Sequence, residues 1–122
     1  MVSNKEFSQK LKARIFSLVL ETIKYADLLD WKNPFEKVAR DQLVRSVTSI
    51  GANYFEAIAG SSRKDFANFN NYALKSSNET QYWLLLIKET SGENNGELGF
   101  LLREVREIAR ILGAIVRSLR KK

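Results

Sequence analysis

Apolar residues recur along most of the chain at steps of three and four positions, the spacing of one face of an α-helix. Four long segments carry this pattern, and Gly, Pro, Asn and Ser concentrate in the breaks between them. No segment alternates apolar and polar residues at every second position, as a half-buried β-strand does. The pattern therefore predicts an all-α protein, with helices at residues 5–29, 35–59, 63–90 and 97–120.

The first predicted helix has a broader apolar surface than a single buried stripe requires. Its core stripe consists of Phe7, Leu11, Ile15, Leu18, Tyr25 and Leu29. Phe16, Val19, Leu20 and Ile23 widen the apolar surface well beyond this stripe. A surplus of this kind is commonly buried between subunits, so the pattern favours an assembly of several copies of the chain.

Capping residues mark the ends of the predicted helices. Asn33 is a suitable N-cap for the second helix, and Pro34 fits its first turn because no N–H is needed there. Gly60 can take the left-handed conformation that closes many helices. Ser62 and Asp65 resemble a capping box at the start of the third helix. The connections between the helices are therefore short.

Each of the other three helices has one predicted core face. In the second helix this face consists of Leu43, Val47, Ile50, Tyr54 and Ile58. In the third it consists of Phe66, Phe69, Tyr72, Ala73, Ser76, Thr80, Trp83 and Ile87. In the fourth it consists of Leu98, Leu101, Val105, Ile108, Leu112, Ile115 and Leu119. Long helices with short connections pack antiparallel in sequence order, which predicts a single-domain, up-down four-helix bundle over residues 1–122.

The chain contains neither Cys nor His, which restricts its chemistry. Without Cys there is no disulfide, thiol nucleophile or thiolate metal site. Without His, the usual general base and the commonest transition-metal ligand are missing. The sequence also lacks a phosphate-binding loop and a dinucleotide fingerprint. We therefore predict a protein that is not an enzyme and uses no metal, cofactor or small-molecule substrate.

The charge and the N-terminus give a broad indication of environment. The net charge of +6 favours an anionic partner without identifying one. The N-terminal residues lack the apolar core and cleavage site of a signal peptide. No apolar run approaches the ~20 residues that span a bilayer. We expect a cytoplasmic protein that does not enter the membrane.

The outer face of the fourth helix carries a row of arginines. At ~100° per residue, four of them fall within about 60° of one another: Arg103, Arg106, Arg110 and Arg117. Arg120 extends the row, and we name these five residues the arginine ridge. A guanidinium group can donate two hydrogen bonds to one phosphate, so one hypothesis is that this face binds nucleic acid. The other is an ordinary solvated face, with Glu104 and Glu107 pairing to arginines one turn away.

A polar stripe follows the second helix, at steps of three, four, four and three. Its members are Gln42, Arg45, Ser49, Asn53 and Glu56. This stripe is either an interface with another subunit or ordinary solvent-exposed surface. On the third helix, Ser76 lies in line with large apolar residues, which predicts a close approach to a neighbouring helix.

A resemblance to a known family begins in this stripe. Residues 42–56 read QLVRSVTSIGANYFE. They resemble the signature Q-L-R-R-A-x-x-S-I-P-A-N-I-A-E-G of the four-helix-bundle proteins encoded in intervening sequences of bacterial 23S ribosomal RNA genes. Residues 62–66 (SRKDF) and 73–81 (ALKSSNETQ) are similar to that family's S-x-K-E-F and A-x-G-S-x-x-E-x-x motifs. Residues 111–119 (ILGAIVRSL) are similar to its C-terminal tail.

The resemblance implies a bundle that assembles into a ring, with a homopentamer as the best single expectation. A relative of similar fold, the accessory protein of diversity-generating retroelements, associates with a reverse transcriptase and nucleic acid. The resemblance also implies an assembly or packing role for the matching polar positions. These positions are Gln42, Arg45, Ser49, Asn53, Glu56, Ser76 and Glu79.

Two functional hypotheses follow. The first is a non-catalytic, oligomeric protein associated with RNA or a nucleoprotein complex through the arginine ridge. The alternative is a purely protein-binding scaffold whose basic surface is incidental. Because the aromatic residues lie largely on predicted core faces, we expect any RNA binding to be led by phosphate contacts.

Overall fold

The computed structural model describes residues 4–60, 62–91 and 96–121. It contains four helices: α1 (Asn4–Ala26), α2 (Pro34–Ala59), α3 (Arg63–Ser91) and α4 (Gly96–Arg120). Helix accounts for 91% of the described residues, and no strand occurs among them. The prediction of an all-α protein with four helices is confirmed.

α1 ends at Ala26, earlier than the predicted end at Leu29. The N–H groups of Leu28 and Leu29 donate to carbonyls three residues back, at Tyr25 and Ala26, so the chain tightens into a turn. Leu29 is nevertheless buried. It fits the helical pattern because a turn residue can also direct its side chain into the core.

Both predicted N-caps are confirmed. The Asn33 side chain accepts a hydrogen bond from the N–H of Glu36 at 3.0 Å. The Ser62 hydroxyl accepts one from the N–H of Asp65, also at 3.0 Å. The left-handed conformation predicted for Gly60 is wrong, because its φ of −65° and ψ of 153° are extended. A Cβ at Gly60 would lie 3.3 Å from a carbonyl oxygen of the last turn of α2, so limited space favours glycine there.

The four helices form a closed square. Each helix contacts its two neighbours in the order α1, α2, α3, α4, and α4 returns to α1. Within the described part of the chain, no substantial contact crosses a diagonal. The contact between α2 and α3 is the most extensive and that between α1 and α4 the least. The predicted up-down four-helix bundle is confirmed.

The buried stripe of α4 agrees with its sequence pattern. Leu98, Leu101, Val105, Ile108 and Leu112 are buried, and the stripe becomes half-buried towards the C-terminal end of the helix. Charged residues cover the opposite face, as in an amphipathic surface helix. No helix in the described ranges is long and apolar enough to cross a membrane.

The core face of α3 is rotated from the prediction. Tyr72 is 48% exposed and Trp83 half-buried, whereas Leu84 is completely buried. The buried residues of this helix include Ala67, Asn70, Ala73, Ser77 and Thr80. Small side chains occupy the interior because α3 packs closely against α2, which leaves the bulky aromatic rings at the edge of the contact.

Candidate nucleic-acid interface

The arginine ridge lies on the exposed face of α4, opposite the buried stripe. All five of its arginines are exposed. Four of them form no ion pair with any described residue: Arg103, Arg106, Arg117 and Arg120. These four arginines therefore present positive charges that no neighbouring carboxylate neutralises within the described ranges.

Arg110 differs from the other ridge residues because it is paired. Its Nη2 and Nε atoms donate to the two carboxylate oxygens of Glu107, at 2.6 and 3.0 Å. These hydrogen bonds hold the pKa of Glu107 below its usual value and raise the pKa of Arg110. Both groups are exposed to water, where such a pair contributes little to stability. An anion that binds Arg110 must nevertheless compete with Glu107.

Glu104 pairs across two helices. The Nε and Nη2 atoms of Arg14, on α1, donate to its two carboxylate oxygens, each at 2.7 Å. This hydrogen-bonded pair raises the pKa of Arg14. The expectation that Glu104 pairs with an arginine one turn away is wrong, whereas the same expectation for Glu107 is confirmed. The carboxylate of Glu104 instead ties α1 to α4 and leaves the ridge uncovered.

Two glycines of α4 lie one turn before two ridge arginines. A Cβ at Gly99 would lie 3.3 Å from Nη1 of Arg103, and one at Gly113 would lie 3.2 Å from Nη1 of Arg117. The guanidinium groups therefore fold back over the bare backbone of the preceding turn. This arrangement holds them along the helix surface, where a phosphate backbone can approach them.

A row of hydroxyl groups joins α2 to α3, and we name it the hydroxyl seam. The hydroxyls of Ser49 and Ser76 are 2.8 Å apart, and Asn53 donates to the hydroxyl of Ser49 at 3.0 Å. Deeper in the interface, Thr80 donates to Ser46 at 2.9 Å. These contacts set the register of the two antiparallel helices. The contact of Ser76 with Ser49 brings the two helices close together at this point.

The remaining family-matched positions lie outside the seam. Four residues have side chains that form no hydrogen bond or ion pair with another described residue: Gln42, Arg45, Glu56 and Glu79. All but Gln42 are exposed. The structure thus gives a packing role to part of the set, and an assembly role for these four stays a prediction.

An apolar cleft separates the outer faces of α1 and α2. The rings of Phe16 and Phe55 have their centroids 6.2 Å apart and border a cleft of about 170 Å³ that extends to Gly51. The ammonium group of Lys12 lies 4.6 Å from the centroid of the Phe55 ring. Phe16 and Leu20 are 52% and 45% exposed, which confirms the surplus apolar surface predicted for α1. The contact between Lys12 and the Phe55 ring could not be predicted from the sequence, because the two residues lie on different helices.

Acidic side chains near the ridge serve as partners of arginine. Within the described ranges, no three His, Cys, Asp or Glu side chains cluster closely enough to hold a metal ion. The functional groups of the arginine ridge are guanidinium donors, which are suited to binding oxyanions.

Comparison with known families agrees with this architecture. The family model described as "23S rRNA-intervening sequence protein" matches residues 8–114. The chain belongs to this family. The matched range includes the hydroxyl seam, the apolar cleft and three of the five ridge arginines. The suspected resemblance is confirmed.

A solved structure is similar to this member of the 23S rRNA-intervening sequence family. It is the 1.70 Å crystal structure of a protein with unknown function from the S23 ribosomal protein family of Bacteroides thetaiotaomicron. The two chains are 31% identical and superpose with a TM-score of 0.77, and the match covers 90% of this chain and 97% of the other. No curated protein matches the chain.

Proposed function

We propose that this member of the 23S rRNA-intervening sequence family is a non-catalytic oligomer that associates with RNA through its arginine ridge. The observation that carries the proposal is the row of four exposed arginines with no carboxylate partner among the described residues. Unpaired guanidinium groups can bind phosphate without first leaving a carboxylate. The partner in this proposal is RNA, free or in a nucleoprotein complex. A cytoplasmic location is part of the proposal.

Assembly is the second part of the proposal. We place a second copy of the chain on the apolar cleft, with a ring of five as the expected assembly. Phe16, Leu20 and Phe55 supply exposed apolar area of the kind that subunit interfaces bury. A ring repeats the arginine ridge once per subunit and raises the avidity for a long anionic chain without any new contact.

The apolar cleft also favours a second candidate function, a protein-binding scaffold. Exposed aromatic rings often anchor protein partners. In that case the cleft would bind another protein, and the ridge would be solvated surface. The two functions differ in whether removal of the ridge charges changes RNA binding.

Changing Arg103, Arg106, Arg110 and Arg117 together to glutamine is expected to weaken RNA binding on the order of 100-fold at 0.1 M salt. Each phosphate contact releases counterions and contributes about −0.7 to the salt slope of single-strand binding, so the slope should flatten by about 3. The measurement is fluorescence anisotropy of a labelled single-stranded RNA across a salt titration, after bound nucleic acid is removed in high salt.

The control is a variant with the same change in net charge outside the ridge. It replaces four exposed lysines by glutamine: Lys10, Lys32, Lys37 and Lys75. This variant should bind RNA within a few-fold of the unmodified protein. Equal weakening in both variants would show that only net charge matters. Absence of RNA binding by the unmodified protein at low salt would favour the scaffold.

A further inference from the structure

A groove of about 480 Å³ opens between the N-terminal turns of α1 and the C-terminal half of α4. It lies along the pair of helices that make the least extensive contact in the bundle. Its volume falls within the range of about 300–1,000 Å³ that is typical of small-molecule sites. The groove is separate from the apolar cleft, which lies between α1 and α2.

The groove combines aromatic and aliphatic walls with a few polar groups. Phe7, Phe66 and Ile115 line it. Phe7 is 44% exposed, although the periodicity of α1 places it on the core stripe. Its exposure follows from the weak contact between α1 and α4 at this end of the bundle. An exposed aromatic ring beside an open groove provides a surface on which a flat ligand can stack.

The polar groups of the groove are hydrogen-bonding side chains without charge, apart from one arginine. Asn4, Ser8 and Ser118 contribute an amide and two hydroxyls to the lining. Tyr54 is buried behind them, and its hydroxyl donates to the backbone oxygen of Ser8 at 3.3 Å. A purely aliphatic ligand would offer no hydrogen bond to these amide and hydroxyl groups. A flat heterocycle with donors and acceptors at its edge would satisfy them.

Arg110 connects the groove to the arginine ridge. It belongs to the ridge by its position on α4, and its side chain also lines the groove. Glu107 holds its guanidinium group through two hydrogen bonds, at the middle of the ridge. A nucleic-acid backbone on the ridge would therefore pass the opening of the groove.

We propose that the groove receives an unstacked base of single-stranded RNA, whose backbone lies on the ridge beside Arg110. Phe7 stacks on the base, and Asn4, Ser8 and Ser118 bind its edge. This inference rests on the proposed association with RNA and adds that the RNA is single-stranded at the site. It also replaces binding by phosphate contacts alone with one stacked base per groove.

The experiment uses a short single-stranded RNA that carries one 2-aminopurine, a base whose fluorescence is quenched when it stacks. Binding to the unmodified protein should quench the fluorescence. Phe7→Ala should abolish the quenching and weaken binding at least about fivefold, the lower end of the range for one stacked base. An RNA with an abasic site in place of the 2-aminopurine should bind the unmodified protein more weakly than the 2-aminopurine RNA does. The abasic RNA should bind the unmodified protein and Phe7→Ala equally.

Phe100→Ala is the matched control, because Phe100 is also 44% exposed on the bundle surface and does not line the groove. It should retain both quenching and affinity. Ser118→Ala, a smaller change in the groove, should weaken binding of the base-containing RNA but not of the abasic RNA. Circular dichroism confirms that each variant is folded.

Equal binding of abasic and base-containing RNA, or quenching that survives Phe7→Ala, would overturn the groove proposal. In that result the ridge variant would still lose affinity, so the proposed function would stand. If the unmodified protein binds neither RNA at low salt, the proposed function itself fails. Quenching lost equally in Phe7→Ala and Phe100→Ala would also contradict the proposal.

Discussion

Changing Phe16 and Phe55 together to aspartate is expected to convert the proposed assembly into single chains of 14.0 kDa. The two rings are 52% and 36% exposed in the isolated chain and border the apolar cleft. Full burial of a large apolar side chain contributes about 1.5–3 kcal/mol, so loss of both removes much of the attraction between subunits. A carboxylate placed in the same interface would also have to lose its hydration. Light scattering at micromolar concentrations measures the mass directly.

The control for this prediction changes two residues of similar exposure elsewhere on the surface. Phe100 and Leu85 are 44% and 36% exposed, and neither borders the apolar cleft. Changing both to aspartate should leave the oligomer intact. A pentamer of this chain has a mass of about 70 kDa, well separated from that of a monomer. A mass of 14.0 kDa for the unmodified protein would refute assembly itself.

Leu112→Ala is expected to lower the free energy of unfolding by about 2–5 kcal/mol, the usual cost of removing one methine and two methyl carbons from a well-packed core. Leu112 lies in the buried stripe of α4 and has no exposed surface. The cavity that it leaves cannot fill readily, because helices pack against α4 on two sides. Urea denaturation followed by circular dichroism gives the free energy.

The same substitution at Leu28 is the matched control, because Leu28 is 81% exposed in the turn after α1. Leu28→Ala should change the free energy of unfolding by no more than about 0.5 kcal/mol. All three proteins must be compared at one concentration, because the proposed assembly would make stability depend on concentration. Similar losses in both variants would contradict the burial of the α4 stripe.

The last two helices, α3 and α4, show how far periodicity determines which face of a helix is buried. α4 alternates strongly apolar and strongly charged positions, so only one orientation hides its leucines and exposes its arginines. α3 carries aromatic residues on more than one side, and periodicity placed Tyr72 inside and omitted Leu84. Packing against α2 decided the orientation, because the serines of the hydroxyl seam allow a closer approach than aromatic rings do.

The candidate site also combines features that the sequence predicts with features that it does not. The position of the arginine ridge follows from spacing along one helix, and so does the pairing of Arg110 with Glu107. The partner of Glu104 could not be predicted, because Arg14 lies 90 residues away in the chain. Whether four ridge arginines stay unpaired depends on which carboxylates other helices bring near them.

The sequence by itself determined the number of helices, the N-caps of α2 and α3 and the charged face of α4, since these depend on residues within a few positions of one another. Only the tertiary structure decided where the bundle packs loosely. The groove beside Phe7 and the cleft between Phe16 and Phe55 are each lined by residues from different helices. These residues are far apart in the chain, and no local pattern relates them to one another.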